Sequence, residues 1–169
     1  MKYLKRVALW LGLLMSMSLS SYGQSKVLAS ADVRISLHKA LQVNKLQGDL
    51  LFGDLVQTGV ATRVERTPDK GILFEVNGAP GREITFDFEN TSLTNISDNE
   101  QLNFIPNLSH TRNNSSYINP TKVEKGSAYK LENTSGVGHL YLWVGGEVLV
   151  NSNLSSGDYS GEFLVTVSY

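Results

Sequence analysis

Apolar and polar residues alternate along most of this chain with a period of two, in short runs. Ala29, Ala31, Val33, Ile35 and Leu37 stand against Ser30, Asp32, Arg34 and Ser36. The same beat returns with Ile72, Phe74 and Val76. It returns again with Ile84, Phe86 and Phe88 against Glu83, Thr85, Asp87 and Glu89. Successive side chains of a strand point to opposite faces, so each run predicts a half-buried β-strand. The turn formers of NGAPG, residues 77–81, separate two such runs and predict a β-hairpin over 72–89. Residues 60–66 alternate weakly, and LLFGDLV at 50–56 reads as a further strand.

Residues 90–120 are rich in Asn and Ser and carry two prolines, which predicts long loops with one or two short edge strands. Strands resume at 127–132 and in HLYLWVGGEVLVN, 139–151, where Gly145-Gly146 predicts a tight turn or a bulge. GDYSGEFLVTVSY, 157–169, places Tyr159, Phe163, Val165, Val167 and Tyr169 on one side. That side is the face expected to be buried, with Leu164 the one large apolar residue on the other. The helical candidate is 38–50, where Ala40, Leu41, Val43 and Leu46 would share a face, though Gly48 and β-branched Val43 weaken it. Short strands joined by turns imply an all-β fold. The expectation is an immunoglobulin-like antiparallel β-sandwich of about seven to nine strands, lacking the Cys…Trp…Cys spacing of antibody-type domains.

The front of the chain reads differently. Lys2, Lys5 and Arg6 precede the apolar run VALWLGLLMSMSL, and small Ser21 and Gly23 follow. This is the pattern of a signal peptide, 1–23, cut after Gly23, with a single domain over 24–169. The apolar run is shorter than the ~20 residues a membrane-spanning helix needs, so no transmembrane segment is expected once it is cleaved. The expected location is therefore outside the cytoplasm: periplasmic, secreted or on the cell surface. Cleavage removes three of the 15 Lys+Arg and none of the 16 Asp+Glu, leaving a net charge of −4. A mildly acidic surface argues against nucleic acid as a partner. The chain has no cysteine, which excludes a disulfide framework, thiolate chemistry and a lipoprotein anchor.

Little in the residues points to catalysis. His38, His110 and His139 lack metal-ligand spacing, and the G-x-S-x-G elbow is absent. Asp87 with Glu89 could serve acid–base chemistry, though a solvated strand face accounts for them, and Asp98 with Glu100 could suit a calcium loop, though the EF-type spacing with its Gly and closing Glu is missing. The expectation is no enzyme, with no catalytic, metal or cofactor site. Tyr141 and Trp143, two apart on one strand, are the candidate binding surface, an aromatic platform. The alternative is a central strand that is apolar on both faces.

Three stretches together resemble one family. LLFGDLVQTG at 50–59 is similar to its opening L-x-FG motif, and ILFEVNGAPGREITFDF at 72–88 to its F-x-V-x-G-x-P-G segment. LYLWVGGEVLVNSNLSSGDYSGEFLVTVSY at 140–169 is similar to its closing block. The family is the bacterial domain-of-unknown-function family 4402. Glu147 and Val148 depart from the Thr and Leu common there. The resemblance implies an exported β-sandwich, with some similar sequences labelled fimbrial major subunits of the Mat/Ecp type, and it brings no catalytic residues. Two functions follow as expectations. One is a fimbrial or surface-assembly subunit built by β-strand addition. Its assembly strands would be Val27, Ala29, Ala31, Val33, Ile35 and Leu37 as donor, and Tyr159, Phe163, Val165, Val167 and Tyr169 as the closing strand. Its partners would be other copies of itself or related subunits, and a periplasmic chaperone. The other is a self-complete binding module for glycans or a protein partner.

Overall fold

A computed structural model of the chain describes residues 39–56, 59–112 and 116–169. The expected signal peptide and the strand expected at 29–37 lie outside the described residues. Among the described residues there are twelve strand segments. They are β1 (Gln42–Gln47), β2 (Thr62–Arg66), β3 (Ile72–Gly78), β4 (Glu83–Phe88), β5 (Thr91–Asn95), β6 (Gln101–Thr111), β7 (Thr121–Lys122), β8 (Ala128–Lys130), β9 (Glu132–Thr134), β10 (Val137–Val150), β11 (Tyr159–Ser160) and β12 (Val165–Ser168). The count exceeds seven to nine because four of them are pieces of two or three residues.

All pairings are antiparallel, and the strands form two sheets packed as a sandwich. The larger has the order β1-β3-β10-β6-β5-β11, with β2 and β9 also on β10 and β7 on β6; the smaller has the order β12-β4-β8. Between them lie Val76, Leu108, Leu140, Leu142 and Val144 from the large sheet and Ile84 and Phe86 from the small one, all buried. A second cluster of Leu102, Phe104 and Val148 extends this core toward β5.

Several expectations are corrected. Residues 72–89 form two strands but no hairpin: β3 pairs with β1 and β10, while β4 pairs with β12 and β8. The turn at Ala79–Arg82, with Gly81 at φ 73°, carries the chain from one sheet to the other. Ile84 and Phe86 thus meet Val76 across the core rather than beside it, which buries both apolar faces at once. Within 38–50 the chain is strand, because QVNKLQ finds a ladder partner in β3 and Gly48 at φ 83° ends it. Residues 51–56 are irregular; Phe52 packs its ring edge on Phe104 at 6.1 Å while Leu51 and Val56 are exposed.

The Asn- and Ser-rich middle holds a central strand of 11 residues, β6. Leu102, Phe104 and Leu108 keep the inward beat, and Pro106 sits between the β5 and β7 pairings, where one side of β6 has no described partner. A proline is tolerated there because no ladder hydrogen bond is lost on that side.

Gly145-Gly146 makes no turn, because β10 runs straight through it against β6. On its other side β10 changes partner, from β3 at Val144↔Ile72 to β2 at Gly146↔Arg66. Five residues of the β2–β3 line, 67–71, therefore face the single residue Gly145 of β10, and the surplus loops out as a 3-10 turn at Pro68–Lys70. The closing segment is also divided. Tyr159 and Ser160 pair with β5 in the large sheet, and Val165–Ser168 pair with β4 in the small one. Leu164 is 78% exposed, on the outward side as its place in the alternation requires.

Candidate functional site

β12 touches the large sheet at both ends, over different strands. At its end, the Tyr169 hydroxyl donates to the Lys39 carbonyl at 2.7 Å and accepts the Ala79 N–H at 2.7 Å. The Arg82 guanidinium lies 5.4 Å from the centre of the same ring. This clasp joins the last residue to the lead-in of β1 and the end of β3. It is tightly filled. A Cβ on Gly78 would lie within 2.9 Å of Tyr169 Oη, Leu131 Cδ1 and Leu41 Cδ2.

At its start, β12 lies over a different part of the large sheet. Thr91 Oγ1 donates to the Glu162 carbonyl at 3.1 Å, and the Phe163 ring meets Phe104 of β6 edge-on at 5.8 Å. In the large sheet β6 is separated from β1 by β10 and β3, which is three strand spacings or about 14 Å. β12 thus crosses the large sheet obliquely, its edge diverging from that of β1 away from the clasp, and the strip of inward side chains between the two edges is termed the wedge.

The wedge has an apolar lining that the fold leaves half covered. Ile72 and Phe74 of β3, and Phe163, Val165 and Val167 at β12, pack against the core yet remain partly exposed. Val43 lies opposite fully buried Val76, on the inward face of β1, but is 41% exposed. Beside this lining, β12 pairs only with β4 among the described residues, so its other side offers backbone donors and acceptors without a described partner. The edge strand of a sheet is a place where another strand can add.

Of the expected assembly strands, Phe163, Val165, Val167 and Tyr169 are here together. Tyr159 is not: its hydroxyl bonds Glu100 Oε2 and the Ser155 carbonyl at the far edge of the large sheet. Val27, Ala29, Ala31, Val33, Ile35 and Leu37 lie outside the described residues. The sequence reading missed Val43 and Phe74 as members of the site. The signal is present, since Leu41 and Val43 alternate with Gln42 and Asn44, but Ala40 and Leu46 let the same residues fit a helical period.

The other expected surface is differently placed. Trp143 is only 3% exposed. Its indole N–H donates to Thr111 Oγ1 at 2.9 Å, and the Tyr117 ring packs edge-on against it at 5.4 Å. Tyr141 is half-buried and bonds Glu75 Oε1 at 3.3 Å, with burial, then the Glu75 charge, pushing its hydroxyl above the usual range. The pair therefore does not present an exposed aromatic platform: β10 is central and apolar on both faces, with Leu140, Leu142 and Val144 opposite.

The carboxylates are occupied by protein donors. Asp87 and Glu89 share Lys125, at 2.9 and 3.0 Å. Hydrogen bonds to those two carboxylates hold the Lys125 ammonium above its ordinary range. Asp98 accepts the Glu100 N–H at 3.0 Å, and the Ser155 N–H, bonded to Glu100, holds the Glu100 carboxyl below the usual range. His139 Nδ1 lies 3.4 Å from Glu75 Oε1. His110 is held below the usual imidazole range by burial, then by the Arg112 charge. Among the described residues no three His, Cys, Asp or Glu side chains gather as a metal site would require, and no helix is long and apolar enough to cross a membrane.

A search of the curated proteins returns no match to this chain. A family model does match, over residues 53–169, from the segment before β2 through β12 and Tyr169. The chain therefore belongs to the family described as domain of unknown function DUF4402.

Proposed function

We propose that this protein is an exported, non-enzymatic structural subunit that joins its neighbours by β-strand addition, as a fimbrial or other surface-assembly subunit does. The observation that carries this reading is the half-covered apolar wedge lying directly beside the edge of β12 that has no partner among the described residues. An added strand would satisfy that backbone edge and bury alternate side chains in the wedge, which are the two ingredients of strand-addition affinity and specificity. Covering a half-exposed Val or Phe contributes on the order of 1 kcal/mol each, so a handful of such side chains outweighs much of the cost of ordering the incoming segment. A periplasmic chaperone would protect the same edge before assembly. The partners on this reading are other copies of the chain or related subunits.

Val43→Glu tests it. The side chain is 41% exposed, so a carboxylate there reaches water in the free subunit, but it is stranded in apolar surroundings once a strand docks. The chain from residue 24 should form multimers by light scattering, and Val43→Glu should remain monomeric with its melting temperature little changed. Multimerisation of Val43→Glu equal to that of the parent chain would overturn the proposal.

A further inference from the structure

We infer that the outer face of the large sheet carries a binding site for one divalent cation of the zinc class, held by His139 Nδ1, Glu75 Oε1 and Asn77 Oδ1. This face is turned away from the wedge, so the site goes beyond the strand-addition reading and does not rest on it.

Strand register brings the three donors together. Val76 of β3 and Leu140 and Leu142 of β10 point into the core. Their chain neighbours Glu75, Asn77, His139 and Tyr141 therefore project from the opposite side of the same sheet. His139 stands directly across from Asn77, and Tyr141 directly across from Glu75. Two adjacent rows of one strand pair thus gather an imidazole, a carboxylate and an amide. Sequence spacing does not reveal the set, because β3 and β10 lie far apart in the chain and meet only in the sheet.

The distances fit an ion better than a hydrogen bond. His139 Nδ1 lies 3.4 Å from Glu75 Oε1. That is longer than the roughly 2.7–3.2 Å that N–H···O hydrogen bonds favour. Bonds of about 2.1 Å from one metal to nitrogen and to oxygen, at the tetrahedral angle, hold the two donor atoms about 3.4 Å apart. Moreover, His139 Nδ1 and Asn77 Oδ1 are both buried and make no hydrogen bond. A buried polar atom without a partner is costly, and one cation accepting both lone pairs removes that cost.

The surroundings hold the donors in place. Asn77 Nδ2 donates to Glu75 Oε2 at 3.0 Å, and the Tyr141 hydroxyl donates to Glu75 Oε1 at 3.3 Å. These bonds orient the carboxylate, and the first leaves the amide oxygen of Asn77 as its free end. Outer hydrogen bonds of this kind set the direction of metal ligands. The His139 and Glu75 side chains are each 21% exposed, which gives an ion access and lets water complete its shell. Glu132, across from His139 on β9, is tied to Arg112 at 3.4 Å and stands outside the set. One imidazole, one carboxylate and one amide fall short of three His, Cys, Asp or Glu ligands, so the affinity is modest. The imidazole nitrogen selects zinc, copper or nickel over calcium and magnesium, which take oxygen ligands. An ion bound here staples β3 to β10 and adds its binding free energy to the stability of the fold.

Calorimetric titration of zinc chloride into the chain from residue 24, with no added histidines, tests this. The expected result is one zinc ion per chain, undisturbed by excess calcium. Affinity should fall about tenfold or more in His139→Gln and in Glu75→Gln, and stay unchanged in His38→Gln and His110→Gln. Asn77→Asp sets a carboxylate where the amide oxygen was and should tighten binding about tenfold, which keeps the test decisive if Glu75→Gln does not fold. No zinc uptake by the folded parent chain, equal uptake by His139→Gln, or no tightening in Asn77→Asp would each overturn the inference. None of these readouts involves multimerisation, so that failure would leave strand addition standing.

Discussion

Gly145→Ala is the substitution that best separates a glycine needed for close approach from one needed for a turn. An added Cβ at residue 145 would lie 2.4 Å from the Arg66 carbonyl oxygen, 2.6 Å from Pro68 N and 2.7 Å from Thr67 C. All three are backbone atoms of the looped-out stretch between β2 and β3, so no side chain can rotate away. Relief needs β10 and that stretch to separate by about 1 Å, which breaks packing on both sides and costs about 3 kcal/mol, the upper end for overpacking. At about 2.1 cal/mol/K of unfolding entropy per residue, a domain of this size would lose about 10 °C in melting temperature. The assay is urea and thermal unfolding followed by tryptophan fluorescence. Trp143 is the only tryptophan after residue 23 and sits two residues from the change. The control is Gly126→Ala, at φ 73° with nothing within 4 Å of the added atom, where only backbone strain of about 1 kcal/mol applies. The reasoning fails if Gly145→Ala costs no more than Gly126→Ala.

Tyr169→Phe removes the hydroxyl that bridges the Lys39 carbonyl and the Ala79 N–H, taking this acceptor from the latter; with the residue 42% exposed the expected loss is about 1–2 kcal/mol, read by urea unfolding. An unchanged unfolding midpoint would show that the clasp does not hold the two sheets together. His110 is depressed in the folded state, so the unfolded chain binds its proton first. Stability from this group is complete above the ordinary imidazole value and is lost as pH falls through the folded one. The fall in stability between pH 8 and pH 5 should therefore be smaller in His110→Asn than in the parent, and parallel curves would refute the assignment.

Much of the fold was legible as faces. Ile84, Phe86, Leu140, Leu142 and Val144 alternate in sequence and are buried as the alternation requires. Val165 and Val167 do point inward, and Leu164 does point out. The candidate site was half legible: the closing strand could be read, whereas its open side could not. Val43 carries the reason. Its neighbours permit either a helix or a strand, and nothing local says that β3 will supply a ladder. Gly145-Gly146 carries the same lesson, because a glycine pair is punctuation in a sequence but a contact surface once β2 and β3 lie alongside.

By itself, then, the sequence determined the strand period, the residues that share a face, and the lack of any disulfide, because side-chain direction along a strand is set by local backbone geometry. Tertiary structure alone decided which strands pair, that residues 72–89 cross between sheets, that Trp143 is covered, and that β12 and β1 diverge to leave a wedge. Those outcomes depend on residues far apart in the chain competing to bury the same apolar surface, and no window of sequence contains both competitors.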